Sequence, residues 1–246
     1  MKSTRVVILA GGKGTRLRPF TASFPKPLVP LGDKPILEVV LRQLAAHGFR
    51  RATLTIGHLS DLIRAYVAQN RFIAERLEID FVEETQPTGT AGSLARVEGL
   101  DDTFMVMNGD VLTNLDYSAL VAAHKASGAA LTIAAHAKVE KIELGVLEAG
   151  PDGRLTNYIE KPTQVWEVSM GIYVYEPRVL ELIQPDTYLD FPDLVRMLVA
   201  RGEHVHVYRN DAFWLDIGRP ADYARAQEII ESEPARFGIA HEHVRH

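Results

Sequence analysis

Val6-Val7-Ile8-Leu9-Ala10 is an uninterrupted apolar run that empties into Gly11-Gly12-Lys13-Gly14. A strand without polar alternation has neither face in water, so it belongs inside a parallel sheet covered by helices on both sides. Glycines after it remove the Cβ atoms that would keep a polyanion away from backbone N–H groups. Thr15, Arg16 and Arg18 follow, then Lys26 held between Pro25 and Pro27. Arginine offers planar, permanently charged forks to phosphate, and lysine a mobile point charge. The stretch predicts a buried first strand with a phosphate-rich ligand at its carboxyl end. It is not a Walker loop, because no Gly-Lys-Ser/Thr follows, and Gly12-x-Gly14-x-x-Leu17 lacks the third glycine of a dinucleotide fingerprint.

The following sequence alternates strand and helix signals. Helices are expected at Ile36 to Ala46, at Ser60 to Gln69 behind a Ser-Asp cap signal, from Ser93 to Val97, and at Tyr117 to Ala126. Strands are expected at Arg51 to Ile56, Leu77 to Val82, Thr103 to Met107 and Ala130 to Ala135. That rhythm predicts an α/β fold: a doubly wound, mixed but mostly parallel sheet with right-handed crossovers. From Glu143 the pattern changes to a hairpin, Gly145 to Glu148 and Leu155 to Ile159, about Pro151-Asp152-Gly153. A strand at Val168 to Tyr175, helical stretches at Val179 to Ile183 and Phe191 to Ala200, a strand at His204 to Tyr208 and a helix at Ala221 to Ile230 complete the reading.

One domain over residues 1–231 is expected, its phosphate-binding part up to about 135 and a β-rich insertion in the remainder. A flexible tail would take 232–246, including His241, His243 and His246. A net charge of −5 argues against a general nucleic-acid surface. No stretch approaches the ~20 apolar residues of a membrane span. Met1 to Arg5 leads straight into strand-like sequence, so no signal peptide is expected. The absence of cysteine excludes disulfides and thiol zinc sites and fits a cytoplasmic setting.

Several polar groups stand where a doubly wound sheet puts its ligands. Glu84-Thr85-Gln86-Pro87-Thr88 leads into Gly89-Thr90-Ala91-Gly92, either a ligand-facing turn or an ordinary strand-to-helix loop. Asn108-Gly109-Asp110 lies just beyond a buried strand, and Asp216 lies in Trp214-Leu215-Asp216-Ile217-Gly218. Two carboxylates converging from separate segments would suit Mg²⁺, which takes oxygen ligands and keeps waters. Each acid alone also reads as a turn or cap residue. Glu160-Lys161-Pro162 follows a strand; such pairs are otherwise solvated surface charges. His47, His58, His124 and His136 show no ligand spacing and read as surface or satisfied core, while His204 and His206 share one strand face.

Leu9-Ala-Gly-Gly-x-Gly-Thr-Arg-Leu-x-Pro, followed by Phe24-Pro-Lys-Pro-Leu, resembles the signature of the sugar-1-phosphate nucleotidylyltransferases, the NDP-sugar pyrophosphorylases. Within them the chain looks closest to the mannose-1-phosphate guanylyltransferase-like branch, with motifs in order from Leu9 to Tyr223. The resemblance implies a GT-A-like Rossmann-type fold and in-line attack of a sugar phosphate oxygen on the α-phosphorus of a nucleoside triphosphate. It implies Arg16 and Lys26 as catalytic charges and Leu9, Gly11, Gly12, Gly14, Thr15, Glu84, Gly89 and Thr90 around the nucleotide. Asn108, Gly145, Glu160, Lys161 and Gly171 would meet the sugar phosphate, with Ser169 to Tyr173 as a strand edge across its pocket. Asp110 and Asp216 would bind Mg²⁺.

Gly-Thr-Ala-Gly is similar to guanylyl and some uridylyl members, so GTP with a mannose- or heptose-type 1-phosphate is favoured. Uridylyl, cytidylyl and thymidylyl transfer stay open, and Ser169, where many relatives carry Asn or Thr, leaves the sugar open. A nucleotide-sugar glycosyltransferase would want Asp-x-Asp, which Asp110-Val111-Leu112 lacks. A non-catalytic nucleotide-sugar sensor or regulatory subunit is the other alternative, against which every charged catalytic position is filled. No hexapeptide repeat of a β-helix domain is visible. A homodimer is implied by the resemblance alone.

Overall fold

A computed structural model describes residues 4–12, 14–84 and 86–239. Lys13, Thr85 and the terminal histidines lie outside the described residues. The first strand, β1 (Arg5–Leu9), is followed by a short hairpin of β2 (Pro30–Leu31) and β3 (Lys34–Pro35), then α1 (Ile36–Ala46) and β4 (Arg51–Ile56). Next come α2 (Ser60–Gln69), α3 (Arg71–Arg76), β5 (Glu78–Glu83), the single turn α4 (Gly89–Gly92), β6 (Phe104–Asn108), β7 (Val111–Thr113) and α5 (Tyr117–Ser127). The second half holds β8 (Leu131–Lys141), β9 (Gly145–Ala149), β10 (Leu155–Glu160), β11 (Thr163–Tyr175), α6 (Phe191–Ala200), β12 (Val205–Arg209), β13 (Trp214–Asp216) and α7 (Pro220–Ser232).

Seven strands form the main sheet in the order β12-β8-β11-β6-β1-β4-β5. β1 lies parallel to β4 on one side and to β6 on the other. Val6, Val7 and Ile8 are wholly buried, and their side chains divide by strand alternation. Val6 and Ile8 join Leu37, Val40, Leu41 and Leu44 of α1, whereas Val7 joins Leu94 and the α6 residues Leu194 and Leu198. The two-sided cover explains the unbroken apolar run. A third cluster links Leu17 and Leu31 from the loop after β1 to Leu215, Ile217 and the α7 residue Ile230. It fixes the glycine loop against the C-terminal part of the chain.

The structure corrects several expectations. β8 and β11 continue well beyond the apolar segments expected for them, with Thr163 paired to Lys141 and Val165 to Val139. Their overhang satisfies its backbone groups within the ribbon while leaving Val139, Val165 and Trp166 exposed, so burial patterning gave no sign of it. β11 lies between β8 and β6, an interior strand rather than an edge across a pocket. Ser60 makes no cap bond; α2 starts behind Leu59, and the Ser60 hydroxyl donates to Glu83 at 3.3 Å. The stretch from Ser93 is a 3₁₀ turn ending at Arg96, and the helical stretch expected at Val179 to Ile183 is a 3₁₀ helix over Pro177–Leu182. Residues 232–239, expected to belong to a flexible tail, are packed: α7 runs through Ser232, and Phe237 and Ile239 are buried in the third cluster, while 240–246 lie outside the described residues. Among the described residues no helix is long and apolar enough to cross a membrane.

His124 is a satisfied core histidine with a side chain out of solvent. Its Nδ1 lies 2.8 Å from the Thr132 hydroxyl and its Nε2 3.0 Å from Glu176, which also accepts from Thr103 at 2.7 Å. A carboxylate on Nε2 makes that nitrogen the donor and Nδ1 the acceptor. Burial pushes the imidazole pKa below its ordinary 6.5, against the opposing pull of Glu176. The unfolded chain then binds the proton more readily, so this group contributes stability above about pH 6.5 that is lost as the pH falls through the lower folded-state value. His124→Gln is expected to flatten the acid side of the profile. Urea midpoints between pH 8 and 5 check this, and parallel profiles for variant and wild type would refute it.

Candidate active site

The chain leaves β1 with Ala10 N–H donating to Thr55 at 2.9 Å, and Gly11 then crosses the end of β4. A Cβ at Gly57 would stand 2.9 Å from the Gly11 carbonyl oxygen, and one at Gly11 would strike the Glu84 carboxylate. Gly14 (φ +59°) turns the backbone into a 3₁₀ turn at Thr15–Leu17, and the Thr21 hydroxyl closes the loop by donating to the Gly14 carbonyl at 2.8 Å. Leu17 inserts into the third cluster and leaves Arg16 on the exposed side. Lys26 packs beneath Gly14, where a Cβ would approach its own Cβ to 2.9 Å. The result is a cavity of about 290 Å³ lined by Gly12, Gly14, Thr15, Arg16, Lys26, Asp110 and Gly218.

Two acids arrive from opposite halves of the chain. Gly109 donates to the Leu9 carbonyl at 3.0 Å, turning the chain over the end of β1 and placing Asp110 beside the glycine loop. β13 pairs antiparallel with β7, setting Asp216 opposite Val111, and Ile217 N–H donates to the Asp110 carbonyl at 3.0 Å. Lys26 Nζ is ion-paired with the Asp110 carboxylate; the two side chains are 11% and 23% exposed. Burial pushes the Asp216 carboxyl up, the Asp110 charge pushes it further, and Lys26 and Arg16 pull it back. This conflict between like charges with oxygen donors suits a hard divalent cation. Among the described residues no group of three or more His, Asp or Glu converges on one point, so water and phosphate oxygens would have to complete its shell.

A larger cavity of about 770 Å³ meets the first at Gly12 and Asp110. Leu9, Gly11, Glu84, Gly89, Thr90 and Asn108 line it, together with Thr55, His58, Ser93, Tyr188 and Asp190. The nucleotide candidates are thus divided between two connected cavities, with Gly14 and Thr15 in the smaller. Burial raises the Glu84 carboxyl above the usual range, although the Thr88 hydroxyl donates to it at 3.4 Å. The turn after Thr88 differs from a set of free amides facing a ligand: Ala91 and Gly92 both donate to Leu189, at 3.0 and 2.9 Å, and Thr90 N–H to Asp190 at 3.1 Å. Gly89 holds φ +80° with its Cα against the Leu189 carbonyl, where a Cβ would come within 2.5 Å. Gly89→Ala is therefore expected to cost about 1–3 kcal/mol, checked by thermal melting.

Tyr188 and Asp190 carry no motif in the sequence, and His58, expected as surface or satisfied core, also lines the larger cavity. Asp190 precedes α6 and looks like an ordinary helix cap, yet it makes no side-chain cap bond there. Of the sugar-phosphate candidates, Asn108 faces the larger cavity and Gly171 (φ +73°) packs on it; a Cβ there would lie 2.6 Å from Asn108 Nδ2. Gly145, Glu160 and Lys161 lie on the exposed β9–β10 hairpin, outside both cavities. Gly145 is paired with Glu160, whose carboxylate accepts from the Tyr158 hydroxyl at 2.8 Å. Trp214 Nε1 donates to the Met170 carbonyl at 2.9 Å, tying β13 to β11.

Comparison with known proteins agrees with this architecture. The chain matches the family described as Nucleotidyl transferase over residues 5–233. A mannose-1-phosphate guanylyltransferase catalytic subunit beta from Drosophila pseudoobscura pseudoobscura is 36% identical over 232 residues, covering 89% of this chain and 60% of that protein. A UTP–glucose-1-phosphate uridylyltransferase from Synechocystis sp. is 34% identical over 240 residues, covering 90% of this chain and 62% of that protein. The chain thus spans about three fifths of the length of these relatives. Among solved structures, HddC from Yersinia pseudotuberculosis matches with a TM-score of 0.71 and 27% identity over 92% of this chain and 98% of that one. The same protein complexed with GMP-PN matches with a TM-score of 0.70 and 26% identity. On the family match and these relatives, this chain belongs to the nucleotidyl transferase family.

Proposed function

We propose that the protein transfers a nucleotidyl group from a nucleoside triphosphate to a sugar 1-phosphate and releases pyrophosphate. The observation that carries this reading is the meeting of Arg16, Lys26 and Asp110, with Asp216 beside them, where two cavities join. A sugar phosphate oxygen attacks the α-phosphorus, a new P–O bond forms, and the bond to the β-phosphate breaks with its electron pair leaving on pyrophosphate. The protein's task is to position and to neutralise charge, for which no side-chain nucleophile is required. Arg16 holds the leaving phosphates and Lys26 the α-phosphoryl oxygens. Asp110 and Asp216 would hold Mg²⁺, which supplies charge neutralisation to the phosphates when bound.

GTP is the favoured donor and a mannose- or heptose-type 1-phosphate the favoured acceptor. The guanylyltransferase relative and the neighbour complexed with GMP-PN support guanine. The uridylyltransferase relative supports UTP as the second reading. Glu160 and Lys161, exposed at the hairpin and outside both cavities, are the chain's candidates for the acceptor. Incubation with each of four triphosphates and a panel of sugar 1-phosphates, following pyrophosphate, tests the reading. GTP with a mannose or heptose 1-phosphate is expected to turn over fastest. Dominant turnover of UTP would overturn the base, binding without turnover would favour a sensor, and no turnover with any pair would sink the transferase.

A further inference from the structure

Tyr188 and Asp190 come from the second half of the chain, yet both line the larger cavity and neither lines the smaller one that holds Arg16 and Lys26. Contacts tie their segment to the glycine loop: Gly11 abuts Glu84, Glu84 accepts from Thr88, and the Thr88 carbonyl accepts from Leu189 N–H at 2.9 Å. With phosphates in the smaller cavity at Arg16 and Lys26, the larger cavity and this wall are left for the base of a nucleotide. We propose that Asp190, together with the Tyr188 hydroxyl, reads the base and selects guanine; the inference rests on the larger cavity being the nucleotide's.

Asp190 is clamped in one orientation. Its Oδ1 accepts from Thr90 N–H at 3.1 Å and from the Thr90 hydroxyl at 3.3 Å, and that hydroxyl in turn accepts from Phe191 N–H at 2.9 Å. Its Oδ2 accepts from the Tyr188 hydroxyl at 2.6 Å. A carboxylate oxygen has about two acceptor sites, so Oδ1 is filled and Oδ2 keeps one. The Tyr188 oxygen, having given its proton to Oδ2, also keeps its acceptor capacity. The segment therefore offers two neighbouring acceptors, 2.6 Å apart, on a wall of the cavity. Guanine alone among the common bases carries two adjacent donors, N1–H and the N2 amino group. Uracil and thymine set one N–H between two carbonyls, and adenine and cytosine set an amino group beside an acceptor nitrogen. The Tyr188 bond holds the Asp190 carboxyl below the usual range, which keeps it an acceptor at neutral pH.

The test compares calorimetric binding of GTP with that of ITP, which lacks only the N2 amino group. Wild type is expected to bind GTP at least tenfold more tightly. Asp190→Asn, whose carbonyl still accepts from Thr90, should bring the two within about twofold, and Tyr188→Phe within about threefold. Equal binding of GTP and ITP by wild type, or an undiminished preference in both variants, overturns the inference. Should Asp190→Asn melt early, the exposed Tyr188→Phe carries the test alone. Pyrophosphate release reads the proposed function separately: a chain that turns over UTP while ignoring GTP loses the base assignment and keeps the transferase, whereas absence of all triphosphate binding removes both.

Discussion

Replacing Lys26 by methionine is expected to lower turnover by about 10³-fold while leaving triphosphate affinity within about tenfold. Methionine preserves the stem packed beneath Gly14 and removes the ammonium that meets Asp110. On the proposed function Arg16, which lines the same cavity, holds the leaving phosphates, so the ground state would retain a cation there. The α-phosphoryl group assigned to Lys26 in the same proposal would not, because charge gathering on its oxygens during attack would lose the counter-charge Lys26 supplies. An interaction made chiefly in the transition state shows in kcat rather than in affinity. Lys26→Arg should restore little, since a bulky planar fork cannot enter the space between Gly14 and Asp110 as a compact point charge does. Steady-state pyrophosphate release set beside calorimetric titration separates the two quantities. An unchanged kcat with an altered choice of triphosphate would place Lys26 at the base and contradict the assignment.

How much of this was legible in the sequence varies by element for physical reasons. β1 was readable because burial on both faces leaves a signature in five consecutive residues. The acids were readable as motifs, but their meeting was not: β7 and β13 have three residues each, too short to show alternation, and only their pairing sets Asp216 beside Asp110. Phe237 and Ile239 looked like isolated apolar residues in a polar tail, since their partners, Leu17 and Leu31 among them, lie at the other end of the chain. Asp190 carries no motif of its own, and its partners Thr90 and Tyr188 show only in the fold. The hairpin was foreseen, whereas its position outside both cavities depends on an exposed overhang of β8 and β11 that no burial pattern announces. Local chemistry was thus easier to read than the long-range pairings that assemble it.

The two acids should respond in opposite directions when neutralised, which makes Asp216→Asn the sharper test of the cation site. Asp216 is held charged against both burial and the Asp110 carboxylate, so without a divalent ion its charge is a cost to folding. Asparagine keeps the shape and removes that cost, and the metal-free variant is expected to gain roughly 0.5–2 kcal/mol, a rise of a few degrees in Tm for a chain this long. Asp110→Asn should instead lose stability, because Lys26, only 11% exposed, is left without the carboxylate it pairs with. Adding millimolar Mg²⁺ with triphosphate should reverse the order. Wild type gains stability by mass action, while both variants respond weakly and turn over at least about 10²-fold more slowly. Thermal melts of the three proteins with and without Mg²⁺ and triphosphate read every part of this. If Asp216→Asn melted below wild type without metal and still gained fully on Mg²⁺ addition, Asp216 would be a structural acid of β13 and the cation would be held elsewhere.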